Sequence, residues 1–259
     1  MLLAGTLMPT PLQIVAPVYN EADNIVRFVE ALESSIRQPF TLWIVYDFDE
    51  DTTLPPARRL AESRPWLRLL RNTRGRGVVN ALRAGFEAAG DGPVLVTMAD
   101  LSDDLSIVPR MLELYAQGYR VVCPSRYMRG GRQIGGPLFK RVLSQTAGIS
   151  LHYIAGLPTH DATNNFRLYD GALVRELGIE SEAGFEVALE LTAKAFARNV
   201  PIAEVPSTWR DRTAGTSNFK LRKWLPHYTR WFMRAMKTGV ARRVERRSSK
   251  DPAEARHAI

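Results

Sequence analysis

Two stretches of this chain run from an apolar segment straight into carboxylates. Residues 14–21 read Ile-Val-Ala-Pro-Val-Tyr-Asn-Glu, and residues 94–104 read Val-Leu-Val-Thr-Met-Ala-Asp-Leu-Ser-Asp-Asp. Open α/β folds bind ligands at the C-terminal edge of their parallel strands, and paired Asp groups there hold a divalent cation against phosphate oxygens. The expectation is an enzyme acting on a nucleotide-linked substrate. Asp100 is the central candidate, with Ser102, Asp103 and Asp104 close behind it as further hard oxygen donors.

Positioning these groups requires a sheet. Runs rich in Val, Leu and Ile at 12–16, 41–46, 67–70, 93–98 and 120–124 read as short strands, apolar on both faces as in a sheet covered by helices. Helical periodicity at 21–36, 55–63, 77–89 and 105–117 falls between them. This alternation predicts parallel pairing and a doubly wound, single-domain α/β fold. After Tyr127 the pattern changes to a glycine-rich turn (129–132, 135–137), helices near 138–155 and 184–198, a strand at 202–205 and a polar loop at 210–220. No repeat or low-complexity linker intervenes. The reading is a domain over 1–221, with a nucleotide half at about 12–127 and an acceptor half at about 128–221, followed by a basic amphipathic helix and tail over 222–259.

Composition narrows the class. The 259 residues are 45% hydrophobic and 24% charged, ordinary globular usage. Cys123 is the sole cysteine, which excludes an intrachain disulfide and makes a reduced compartment the default. Within Tyr119-Arg-Val-Val-Cys-Pro124 it reads as a buried strand residue. The chain has no apolar run of about 18 to 20 residues, and its first eight residues lack the basic start of a secretory signal. A cytoplasmic location follows as the expectation, peripheral to the cytoplasmic face of a membrane.

The net charge of +8 is concentrated at one end. From Arg222 onward eleven Lys and Arg residues face only Glu245, Asp251 and Glu254, so residues 1–221 are balanced. Trp224, Leu225, Tyr228, Trp231, Phe232 and Met236 recur there at helical spacing. Such a helix suits an anionic lipid surface, or docks on the core with a solvated basic face. No recognition module accompanies it, so nucleic acid is not an expected partner. Nothing in the sequence specifies an oligomeric state.

The order of motifs then becomes specific. Pro17-Val-Tyr-Asn-Glu21, an Asp-containing turn at 47–53, Arg76-Gly77 opening a helix that continues to Gly85, Ala99-Asp100-Leu101 and Ser125-Arg126-Tyr127 follow one another. Asp161 to Phe166-Arg167 comes next, then Glu204-Val-Pro206 running to Arg212, Gly215 and Ser217. From about residue 14 to 221 the chain resembles the inverting family 2 glycosyltransferases, and within them the dolichol-phosphate mannose synthase branch of polyprenyl-phosphate sugar transferases. The resemblance implies a GT-A type, Rossmann-like sheet. It also implies transfer of a sugar from a nucleotide-diphosphate sugar to a polyprenyl or dolichyl phosphate, with GDP-mannose and UDP-glucose the leading donors.

By that resemblance Pro17, Tyr19, Glu21 and Asp47 lie against the nucleoside, and Met98, Ala99 and Asp100 against the diphosphate. Asp100 and Ser102 would hold Mg²⁺ or Mn²⁺, a Lewis acid on the leaving nucleotide. Arg126 and Arg212 match acceptor-phosphate positions. Lys140 and Ser144, four apart on one helical face, complete the cradle, and Asp161, Arg167 and Ser217 support it. The second pKa of a phosphate monoester is about 6, so this acceptor needs cations rather than a base. The chain departs from its relatives at Met98, where the Asp-x-Asp pattern has Asp, at Ser102, where Gln is common, and at Asn218, where Lys is frequent. Three other readings follow, one of them a membrane-surface or nucleic-acid adaptor that uses only the basic tail. A hydroxyl acceptor would make Asp161 a general base, and loss of metal through Met98 would leave a nucleotide-sugar binding protein without activity.

Overall fold

The computed structural model describes residues 10–182, 184–211 and 221–248, except the side chains of 221–224 and 246–248. The first half alternates as the sequence predicts. It contains β1 (Leu12–Pro17), α1 (Ala22–Ser35), β2 (Phe40–Tyr46), α2 (Leu54–Glu62), β3 (Leu67–Arg71), α3 (Val78–Ala89), β4 (Pro93–Val96), α4 (Val108–Ala116) and β5 (Val121–Ser125). The second half adds β6 (Arg132–Ile134), α5 (Leu138–Ser150), β7 (Arg167–Asp170), α6 (Gly171–Leu177), α7 (Val187–Ala197), β8 (Ile202–Pro206), β9 (Thr208–Arg210) and α8 (Leu221–Ser248).

Seven strands form one sheet in the order β3-β2-β1-β4-β7-β5-β8. All run parallel except β7, which is antiparallel to both β4 and β5. The chain winds outward from β1 to β3 and then crosses to β4 on the other side of β1. The topological switch point therefore lies between β1 and β4, where the two carboxylate-bearing loops emerge. The inverted β7 matters equally, because Arg167 at its start pairs with Val96 at the end of β4. The loop preceding β7 thus reaches the edge where the parallel strands end.

Both faces of the sheet are covered, which is why its strands are apolar throughout. One core gathers Ile14, Ile25, Phe28, Ile44 and Met111 under α1, α2 and α4. The other gathers Val15, Leu82, Leu173, Leu191 and Trp231 under α3, α6, α7 and α8. The helix α3 approaches β1 so closely that a Cβ at Gly85 would lie 2.3 Å from Val15 Cγ1.

Four differences from the sequence reading have physical causes. The strand β4 stops at Val96 rather than at residue 98, which leaves Met98 to Asp100 in a loop where Leu101 takes a left-handed φ of 60°. The strand β7 has Arg and Asp at its ends and no alternation to announce it. The three-residue strands β6 and β9 pair only with each other, so neither is legible locally. Finally, α5 ends at Ser150 and continues as one π-helical turn, residues 151–155, closed by Gly156 at φ 76°.

The basic helix α8 docks on the domain. Trp231 is 1% exposed and Ala235 fully buried, and Tyr228, Phe232 and Met236 pack beside them. Lys194, Arg230 and Arg234 stack around the Trp231 ring at 5.0–5.2 Å. Glu180 accepts from Lys194 at 2.9 Å and from Arg230 at 2.9 Å, which ties the helix to the loop before α7.

Candidate active site

The loops after β1 and β2 interlock. Asn20 takes a left-handed φ of 56°, turning the chain out of β1. Its N–H donates to Asp51, the Thr53 N–H donates to the same carboxylate at 2.8 Å, and the Glu21 N–H donates to Thr53 Oγ1 at 2.9 Å. Asp51, 1% exposed, is therefore a structural brace. Asp47 accepts from Asn72 Nδ2 at 2.7 Å and from the Gly77 N–H at 2.8 Å, fixing the turn that opens α3. Beside it Tyr19, 53% exposed, meets Phe48 edge-on with ring centres 5.6 Å apart, and the Arg76 guanidinium lies 4.8 Å over Phe48. Buried Pro17, Tyr19, Glu21 and Asp47 thus border an open aromatic shelf at the sheet edge.

The loop after β4 gathers the acids. Asp100 is 7% exposed and accepts the Ser102 N–H at 3.0 Å, while the next carboxylate, Asp103, accepts from Thr97 Oγ1 at 3.2 Å. Burial, reinforced by the Asp100 charge, pushes the Asp103 carboxyl up to about 7. Asp104 caps the following turn by accepting from Ser106 and turns away from this group. The Ser102 Oγ is buried with no hydrogen-bond partner among the described residues. Met98 is half-buried and Ala99 buried in the same loop.

Arg126, directly after β5, lines the same cavity as Asp100 and Asp103. Asp161 accepts from Arg126 Nε at 2.6 Å, from Nη2 at 2.9 Å and from the Arg126 N–H at 3.1 Å. Burial works against the Asp161 charge, but the Arg126 guanidinium outweighs it and holds the carboxyl below its usual range. Arg167, fully buried, donates to the Asp161 carbonyl at 2.8 Å, to the Ala188 carbonyl at 3.0 Å and to Thr192 Oγ1. Arg167 therefore braces the Asp161 loop against α7 from within the protein.

Asp100, Ser102, Asp103, Arg126, Lys140 and Ser144 all line one cavity of ≈ 870 Å³. Apolar lining comes from Leu143 and Ala147 of α5, Leu189 of α7, and Tyr228 and Phe232 of α8. Ser144 Oγ hydrogen-bonds the Tyr127 hydroxyl, joining α5 to the loop that carries Arg126. Tyr19, Glu21 and Asp47 border the open shelf instead. Arg212 and Ser217 lie outside the described residues.

Sequence reasoning missed several contributors. Glu204, quoted only as part of a motif, accepts from Thr159 Oγ1 at 2.9 Å and lies 2.8 Å from His160 Nδ1, anchoring the segment that leads into Asp161. Trp209, Phe185 and Tyr228 complete the cavity wall. No local signal marks Trp209 or Phe185, while Tyr228 is legible only as part of the apolar stripe of the basic helix; its place in the wall is set when α8 packs against α7 and the turn at 151–155.

Residues 13–178 match the family described as glycosyl transferase family 2. The chain belongs to that family. It is 26% identical over 230 residues to a dolichol-phosphate mannosyltransferase of Pyrococcus furiosus, a match covering 86% of this chain and 63% of that protein. It is 29% identical over 220 residues to a polyprenol monophosphomannose synthase of Mycolicibacterium smegmatis, covering 82% of this chain and 83% of the relative. The chain thus spans under two thirds of the Pyrococcus protein's length. Among solved structures, glucosyl-3-phosphoglycerate synthase from Mycobacterium tuberculosis in complex with Mn²⁺, UDP-glucose and phosphoglyceric acid superposes with a TM-score of 0.64. That match, at 16% identity, covers 90% of this chain and 80% of the other. The same enzyme with Mg²⁺ and UDP gives 0.63. This likeness is one of fold, the GT-A architecture of the family 2 enzymes.

Proposed function

We propose that this family 2 protein transfers a sugar from a nucleotide-diphosphate sugar to a polyprenyl phosphate, with inversion at the anomeric carbon. The observation that carries the reading is the cavity. Asp100, Asp103, Arg126, Lys140 and Ser144 line it together with apolar side chains of α5, α7 and α8. A phosphate held by Arg126, Lys140 and Ser144 leaves its hydrocarbon in the apolar part, an arrangement suited to a lipid phosphate and ill suited to a soluble sugar. The names of the two relatives support this acceptor and favour mannose as the sugar.

The chemistry then rests on positioning and charge. Pro17, Tyr19, Glu21 and Asp47 hold the nucleoside on the aromatic shelf, and the loop from Met98 to Asp100 faces the diphosphate. Arg126 presents a cation to the acceptor, oriented by the Asp161 carboxylate. The acceptor oxygen is already ionised near neutral pH and attacks the anomeric carbon from the side opposite the leaving nucleotide. A hydroxyl acceptor would need a base, and Asp161 is badly placed for that, being fully buried with both oxygens on Arg126.

Asp100 and Ser102 offer hard oxygen donors that suit Mg²⁺ or Mn²⁺, and the buried Ser102 Oγ, without a hydrogen-bond partner among the described residues, fits such a use. Bound there, the cation would offset the charge that grows on the departing nucleoside diphosphate. Arg212 and Ser217 remain assigned to the acceptor phosphate and its support.

Attachment to the surface of a membrane completes the proposal. Leu138 and Phe139 at the start of α5 are 72% and 69% exposed, and Leu225 and Met233 of α8 line the cavity while staying partly exposed. Lys140 and Arg141 follow Phe139 on α5, and Arg230 and Arg234 flank Met233 in the sequence of α8. No helix among the described residues is long and apolar enough to cross a membrane.

The test is transfer of labelled sugar from GDP-mannose, UDP-glucose and UDP-N-acetylglucosamine to a short polyprenyl phosphate, with Mg²⁺, with Mn²⁺ and with chelator. Formation of a charged glycolipid from one donor is expected. Nucleotide binding without glycolipid, together with transfer to a hydroxyl compound, overturns the acceptor assignment.

A further inference from the structure

The loop after β4 carries one more carboxylate toward the cavity than Asp100 alone provides. A hard divalent cation takes about six oxygen donors and, beside a diphosphate, is held by one or two protein carboxylates with the phosphates completing the shell. Met98, on the same loop, offers a thioether, a soft donor that such cations reject. Asp103 does not share this defect. Thr97 Oγ1 holds its carboxylate at 3.2 Å, and it lines the same cavity as Asp100 and Ser102. Its neighbour Asp104 is committed to Ser106 as a cap. The left-handed Leu101 reverses the chain between the two acids, so that residues separated by three positions face one space.

A second observation points independently to a ligand. The Ser102 Oγ is 4% exposed as a residue, lines the cavity and finds no hydrogen-bond partner among the described residues. A buried hydroxyl without a partner costs stability unless something occupies its lone pairs.

The geometry points to a divalent-cation site in which Asp100 and Asp103 supply the two carboxylates and Ser102 Oγ a neutral oxygen, with the donor's diphosphate completing the shell. Asp103 does here what Met98 cannot. The inference rests on the nucleotide-sugar reading above and adds to it the residue that carries the second charge. Two carboxylates facing one buried space repel each other, and a cation between them removes that repulsion.

The experiment is Mn²⁺ titration followed by electron paramagnetic resonance, with GDP and with UDP present, on the full chain and its variants. Asp103→Asn is expected to weaken Mn²⁺ binding by about tenfold or more, because affinity at such sites follows the number of charged ligands. Asp104→Asn is expected to bind as the unaltered protein does. Asp103→Ser serves as a second variant if the first does not fold, judged by circular dichroism without metal. Unaltered Mn²⁺ affinity in a folded Asp103 variant overturns the assignment while leaving the transferase reading intact. Absence of Mn²⁺ binding by the unaltered protein with either nucleotide overturns the site itself, and glycolipid formation in chelator then shows whether transfer proceeds without it.

Discussion

Asp100 and Arg126 line one cavity, and under the proposed function single substitutions at each separate donor from acceptor chemistry. Asp100→Asn is expected to lower transfer by about a hundredfold or more, the scale of losing one charge-stabilising group at a reacting centre. Near-normal turnover in that variant would remove the centre of the proposal. Arg126→Lys keeps the charge but loses the planar fork that Asp161 grips. Steady-state kinetics should show acceptor KM rising about tenfold with donor KM little changed. Asp161 supplies a pH signature as well. Its folded pKa is depressed, so its contribution to stability is present above the unfolded value near ~3.9 and is lost as pH falls through the lower folded value. The stability gap between the unaltered protein and Asp161→Asn, about 3–5 kcal/mol near neutrality for a broken buried pair, should therefore shrink on acidification below pH ~4. A gap independent of pH down to ~2 would show that the pairing does not govern that carboxyl.

At the scale of elements, α8 is both a wall of the cavity and a part of the core. Trp231 fills the space between it and α7, with Lys194 and two Arg residues over its ring. Trp231→Ala should cost about 3–5 kcal/mol in denaturant unfolding. Substrate effects are expected to fall on the acceptor, since the shelf proposed for the donor is carried by the loops after β1 and β2. The ribbon of β6 and β9 performs a similar closing task, pairing residues 132–134 with 208–210 and carrying Trp209 to the cavity. Cys123, in the middle of β5, reports on the sheet as a whole. Burial pushes its thiol up to about 11, so alkylation at pH ~8 should wait for unfolding rather than follow the exposed-thiol rate. Rapid labelling of the folded chain would contradict the packing of β5 between β7 and β8.

For the whole molecule, the basic excess and most of the exposed large apolar side chains belong to the second half of the sequence. The basic excess belongs to α8 and the residues after it, and the exposed apolar side chains of α5 stand near the same cavity. Co-sedimentation with vesicles should show binding to anionic bilayers, weakened by high salt and by Phe139→Glu, with little binding to neutral ones. Equal recovery on both bilayers, or no effect of Phe139→Glu, would remove the membrane part of the proposal. Part of the basic tail is spent internally. Arg230 pairs with Glu180, and Arg242 and Arg243 donate to the carbonyls of Ala197 and Tyr153. Those residues are therefore poor targets for testing lipid attraction.

The sequence by itself determined the alternating βα half, the switch-point loops at 17–21 and 98–104, and the family, because strand apolarity, helical period and motif order are local properties of the chain. It also placed Asp100, Arg126, Lys140 and Ser144 among the candidates, and these four line one cavity. Only the tertiary structure decided what the remaining groups do. Asp161 meets Arg126 because β7 runs against its neighbours, a pairing with no signature in four residues that begin with a buried Arg. Asp103 and Asp104 look equivalent in sequence, yet one turns back to Thr97 and the other caps a turn. The sequence did not decide whether the helix α8 docks on the core, and Trp231 packs inside it. A hydrophobic stripe shows which face of a helix is to be covered, whereas the identity of the cover depends on contacts distant in sequence.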